Sequence, residues 1–165
     1  MDKLDIVTDE SGNEVVLLPE IIFSNKQNIN WNDVEDYLGK YVGELIEIAE
    51  TRDIIYIGNK FPDEYGGSSY TRKTKGARAK AKANAAQGIR EMVEIATDKV
   101  YRENHKEKHS EDAHNGWFYY VTRFAIPLYN NEKKTGEYNV YSACLVVNHA
   151  ANGKMYLYDV VGIKK

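Results

Sequence analysis

The chain has one cysteine, Cys144, and a single thiol closes no intrachain disulfide. Nothing therefore points to an oxidising compartment. Cys144 sits in the apolar run YSACLVV without basic neighbours that would favour a thiolate, so a buried, inert thiol is expected. Also missing is any apolar stretch approaching the ~20 residues that a membrane-spanning helix needs. The start, MDKLDIVTDESGNEV, is acidic and lacks the apolar segment of a signal peptide. These absences predict a cytoplasmic protein with no membrane partner. No internal repeat or low-complexity tract appears. Phe and Trp are scarce, at four and two, whereas Tyr numbers 13. A tyrosine ring buries apolar area while its hydroxyl keeps a polar partner, which suits a half-wet sheet or a binding face.

Acids are absent from one stretch. Between Arg72 and Arg90 the chain carries Arg72, Lys73, Lys75, Arg78, Lys80, Lys82 and Arg90 and not a single Asp or Glu. Residues 1–71 hold a net −10 and residues 72–165 a net +7, within an overall −3. The basic half is where an anionic partner belongs, and the acidic half is suited to shielding it.

At 165 residues the chain suits one domain with a small N-terminal appendage. Residues 1–30 read as an arm or hairpin, with turn chemistry at Ser11, Gly12 and Asn13, and residues 31–165 as a single α+β domain. Asn32 is expected to cap a helix starting at Asp33. ELIEIA and IIYIG read as a hairpin. NKFPDEYGGSSYTRKTKG is a loop by composition. The longest helical signal runs from Ala77 to His109, with Ile89, Met92, Val93, Ala96 and Val100 on one stripe and Gly88 as a break. Three aromatic and β-branched runs follow, joined by short Gly-containing turns that require antiparallel neighbours. The expected fold is α+β, with N-terminal helices packed on one face of a C-terminal antiparallel meander, plus a short N-terminal β arm or hairpin.

ENHKEKHSEDAHNG, residues 103–116, holds three of the four histidines. His105 and His109 share a helix face, but Lys106 and Lys108 beside them repel a cation, so no metal site and no cofactor is expected. Metal-independent RNA cleavage instead needs a base, an acid and cations for the phosphorane charge. His109 and His105 suit the first two tasks; Lys80, Lys82 and Arg123 suit the third. Tyr119 and Tyr141 are placed to stack a base or donate to phosphate, and Arg72, Lys73, Lys75 and Arg78 to bind the backbone. Asp159 stands in the apolar strand YLYDVV on the face of Leu157 and Val161. A carboxylate there needs a partner, for which Arg123 or a backbone turn is expected.

KGARAKAKANAAQGIREMVEIA, ENHKEKHSEDAHNGWFYYVTRFAIPLY and YNVYSACLVVNHAANGKMYLYDVVGIKK together resemble a known family. They are similar to modules of phage and mobile-element polyvalent proteins, grouped with the barnase/EndoU/colicin/RelE-like nuclease superfamily. The likeness covers residues 72–165. It implies an α+β fold and a metal-independent endoribonuclease-like domain acting on RNA. His109 would be the histidine before the GW strand, Lys80 or Lys82 the helix lysine and Arg123 the strand arginine. The alternative is a non-catalytic module that keeps the fold to bind a nucleic acid or a protein.

Overall fold

In the computed structural model, which describes residues 3–24, 28–103 and 115–165, the three C-terminal runs form the long strands expected of them. β6 (Trp117–Asn130), β7 (Lys133–His149) and β8 (Met155–Lys164) pair antiparallel in chain order. Their aromatic and β-branched residues suit a pleated, half-buried surface, and their short connections leave no other direction.

These three strands are the middle of a larger sheet. β1 (Ile6–Thr8) and β2 (Glu14–Leu17) make the N-terminal hairpin, and β2 joins β6 in parallel through Val16 and Leu17. β3 (Leu45–Glu47) and β4 (Ile54–Tyr56) make the second hairpin, and β4 joins β8 in parallel. β5 (Thr97–Arg102) runs antiparallel to the first residues of β6. The order is β1-β2-β6-β7-β8-β4-β3, with β5 also on β6, and the eight strands curl into a half-barrel. The expectation of N-terminal helices on an antiparallel C-terminal meander with a β arm is thus overturned: the fold is α+β, but the sheet is mixed and takes strands from both halves of the chain. Short loops dictate direction only between consecutive strands. β2 and β6, like β4 and β8, lie far apart in sequence, so core packing decides. Val16 and Leu18 are fully buried at the first junction, each contributing about 1.5–3 kcal/mol.

α1 (Trp31–Leu38) starts two residues before the expected position, because the Asn30 side chain accepts from the backbone N–H of Asn32 and Asp33. The segment expected to be a loop contains α2 (Phe61–Gly67) and α3 (Ser69–Lys73). Pro62 lies in the first turn of α2, where its missing N–H costs nothing, and Phe61 and Tyr65 bury one turn apart. α4 (Ala77–Ala85) and α5 (Ile89–Glu94) are divided by a 3₁₀ turn ending at Gly88. The helix expected to run on to His109 stops at Glu94. Ile89, Met92, Val93 and Ala96 bury as the stripe required, but Val100 is 47% exposed in β5. Thr97, Val100 and Tyr101 favour a strand, and the edge of β6 offers them a partner.

Helix α4 is enclosed over most of its length. Ala81, Ala83 and Ala85 are fully buried, small enough to let the helix pass between β8 and residues 20–23. Asn84 fixes that passage: its Oδ1 accepts from the N–H of Ile22 (2.8 Å) and Phe23 (3.1 Å), and its Nδ2 donates to the Phe23 carbonyl (2.9 Å). The helices cover one sheet face, where Thr122 donates to the Met92 carbonyl and Phe124, Leu145 and Val160 are fully buried. On the opposite face Trp117, Tyr119, Val146, Tyr158 and Val161 pack on one another without a helix among the described residues.

Candidate functional site

The strongest local chemistry lies inside the fold. Lys82 on α4 is fully buried, and its Nζ donates to Asp159 Oδ1 and to Thr71 Oγ1, each at 2.6 Å. The ammonium also lies 4.6 Å from the ring centroid of Tyr65 and 5.0 Å from that of Tyr70, so two aromatic faces help replace its water. Asp159 faces inward like Leu157 two residues before it, and β8 carries a bulge between them. Leu157 pairs with Val147 and Asp159 with Val146, which leaves Tyr158 as the extra residue, turned to the other face against Trp117. The Asp159 carboxylate additionally accepts from the N–H of Val160, and the Ser68 hydroxyl favours its charge. Burial pulls the Lys82 pKa down and pushes that of Asp159 up, each shift opposed by the partner's charge. Tyr65 closes the far side by donating its hydroxyl to the Lys82 carbonyl. The partner of Asp159 is therefore Lys82, not Arg123, and Val161 does not share its face.

Lys82 is thus committed to a structural pair. Arg123 alternates with Thr122 and Phe124 and so stands on the sheet face opposite Lys82. Tyr141 is buried, stacked on Phe124 at 5.5 Å, where desolvation raises its pKa. Cys144 is half-buried, and burial pushes its thiol up, away from thiolate chemistry. His105 and His109 lie outside the described residues.

Four of the basic candidates form an outward strip. Arg72, Lys73, Lys75 and Arg78, from the end of α3 to the start of α4, are exposed, and none forms an ion pair with a described residue; Lys80 is half-exposed. The strip is firmly seated. Arg72 Nε donates to the Gly67 carbonyl (2.9 Å), and the Tyr70 hydroxyl accepts from the N–H of Ile163 (2.9 Å), which ties α3 to the end of β8. Next to Ile163, Lys164 pairs with Ser142 and Ser142 with Arg123, one row across three strands, about 10 Å wide. Residues directly opposite in antiparallel strands share a face. Arg123 and Lys164 therefore bring positive charge onto the helix-free face beside the strip. Farther along that face the Arg102 guanidinium lies 5.8 Å from the Tyr119 ring.

The two roots of the histidine stretch meet at this far end. Arg102 pairs with Trp117, and the N–H of Asn115 donates to the His149 carbonyl (2.8 Å). Beside them opens a cavity of about 300 Å³ whose wall includes Asn59, Lys60, Glu64, Asn148, Tyr156 and Tyr158. Among the described residues no group of three His, Cys, Asp or Glu is placed to hold a metal ion, and no helix is long and apolar enough to cross a membrane.

No family model, curated protein or solved structure matches this chain. Sequence reasoning missed Thr71, Ser68, Tyr65 and Glu64, all in the segment assigned to a loop. A usable signal was present: a lysine in an Ala-rich helix and an aspartate in an apolar strand each lacked a local partner.

Proposed function

We propose that this domain is a non-catalytic nucleic-acid-binding module, which grips the phosphate backbone with the strip Arg72, Lys73, Lys75 and Arg78 and with Lys164 and Arg123 on the adjoining face. The observation that carries the reading is the strip itself: four exposed cations, held by a braced helix and without ion-pair partners among the described residues. Tyr119, half-exposed beneath Arg102, adds an aromatic ring on which a base of a single strand can stack.

The test is anisotropy of a labelled single-stranded RNA octamer titrated at several salt concentrations. With six phosphate contacts, affinity should fall about 300-fold between 50 and 200 mM salt. Replacing Arg72, Lys73, Lys75 and Arg78 together by Ala should remove most of that dependence while circular dichroism stays unchanged. Affinity that ignores salt would reject the proposal.

A second reading, cleavage of RNA, is favoured by one observation: both roots of the histidine stretch adjoin the Arg102–Tyr119 end of the helix-free face. On that reading the protein cuts RNA in EDTA, and His109→Ala lowers the rate about 100-fold or more. Intact RNA across varied substrates leaves binding alone.

A further inference from the structure

We infer that the buried Lys82–Asp159 pair is a positioning device for nucleic-acid binding: through the Thr71 hydroxyl it sets where α3 holds Arg72 and Lys73 against the phosphate backbone. The inference rests on the nucleic-acid-binding reading and gives the pair a role there that stability does not explain.

Helix α3 has little else to seat it. It spans five residues, far too few to be stable by itself, and Thr71 is its one buried residue. Apolar burial therefore contributes little, and the Thr71 hydroxyl takes its place. It donates to the Tyr65 carbonyl and accepts from Lys82 Nζ, each at 2.6 Å. A hydroxyl has one proton to give, so with that proton on Tyr65 its lone pairs need a donor, and Lys82 is that donor. The Thr71 N–H donates to Ser68 Oγ (3.2 Å), and the Ser68 hydroxyl favours the charge of Asp159. Both members of the pair thus hold the first turn of α3.

Thr71 and the two cations are consecutive residues of one helical turn. At about 100° per residue, a Thr71 turned inward sends Arg72 and Lys73 round toward solvent, where both are exposed. The same ammonium belongs to α4, whose first turn carries Arg78, so one buried group joins both helices that bear the strip. Met and Leu would fill the space of the pair, and a buried ion pair replaced in that way often leaves a protein as stable or more so. Apolar contact is non-directional, however, whereas a hydrogen bond fixes distance and angle. What the charged pair adds is the setting of α3, and with it the spacing of cations that meet successive phosphates.

The experiment titrates a labelled single-stranded RNA octamer at several salt concentrations against the wild type and three variants. Wild-type affinity should fall about 300-fold between 50 and 200 mM salt. For Lys82→Met, Asp159→Leu the fall should be only about 50-fold, the dependence left when two of six contacts are lost, while Tm matches or exceeds that of the wild type. Thr71→Val keeps the pair but removes the hydroxyl, and should show the same reduced dependence. Thr71→Ser restores the hydroxyl and should recover the full one, a rescue that a loss of packing would not show. A full salt dependence in both the double variant and Thr71→Val overturns the inference and leaves the binding reading in place. So does a reduced dependence in Thr71→Val that Thr71→Ser fails to restore. If the double variant is less stable than the wild type, the Val and Ser variants decide alone. If the wild type binds no octamer, the binding reading falls and the inference with it.

Discussion

Asp159→Ala should cost about 3–5 kcal/mol of stability, because it leaves the Lys82 ammonium buried without its counter-charge. Thr71 and two tyrosine faces remain around that ammonium, but a hydroxyl and two ring quadrupoles do not replace a carboxylate at 2.6 Å. The pair's own balance with pH sharpens the expectation. The raised pKa of Asp159 means that the folded chain holds on to a proton the unfolded chain releases. Its contribution therefore turns unfavourable as pH rises above the unfolded value of ~3.9. The lowered pKa of Lys82 means that the folded chain loses a proton the unfolded chain keeps. Its contribution is unfavourable below the folded pKa and recovers as pH rises toward the unfolded value of ~10.4. At neutral pH both charges weigh against folding, and their contact with each other offsets the cost. The double variant Lys82→Met, Asp159→Leu should accordingly match the wild type or exceed it by about 1–4 kcal/mol, with a flatter stability–pH profile. Urea unfolding of the three proteins from pH 4 to pH 10 checks this. A double variant weaker than Asp159→Ala would mean that the network is worth more than its two charges.

That pair also marks how far the sequence could be read. Asp159 in an apolar strand and Lys82 in an alanine-rich helix were each legible as anomalies, since a charge in apolar surroundings needs a partner. Their pairing was not legible, because it depends on α4 crossing beneath β8, a contact between residues 77 positions apart. Arg123, the partner the sequence offered, alternates to the other face. The same divide runs through the fold. Strands β6 to β8 are set by local pattern and short turns, and the β3–β4 hairpin by its turn. The parallel additions of β2 and β4 leave no local trace. In α2, the Pro and Gly content hid the Phe61/Tyr65 spacing. In β5, helical periodicity carried on through Val100 beyond the point where Ala96 buries, although the free edge of β6 was there to be filled. The basic strip was legible as composition, since exposed lysines and arginines need no tertiary detail, whereas the cavity, assembled from α2, β8 and the turn at Gly58, was not.

Gly116→Ala should cost about 3 kcal/mol or more, and through it the junction where the histidine stretch joins the sheet becomes testable. Gly116 has φ +97°, in the left-handed region that side chains resist, and a Cβ there would come within 2.7 Å of the Tyr101 ring and 2.8 Å of the Arg102 carbonyl oxygen. The second contact is backbone and cannot rotate away. Relief requires β5 to move off β6, but Gly116 is itself held: its carbonyl accepts from the N–H of His149 (3.0 Å), and Asn115 Nδ2 donates to the Ala150 carbonyl (2.8 Å). Gly153 gives the control. Its φ is +85°, yet nothing lies within 4 Å of the Cβ position, so Gly153→Ala should cost only the backbone strain, about 1 kcal/mol. The difference should appear as a Tm lower by roughly 6–12 °C for Gly116→Ala, against a few degrees for Gly153→Ala. Moving β5 would also draw Arg102 away from Tyr119. Below its lowered Tm, Gly116→Ala should therefore weaken binding of a single-stranded octamer, while Gly153→Ala should not. Equal losses in the two variants would show that the close approach of Gly116 to Arg102 contributes nothing to holding that end of the face together.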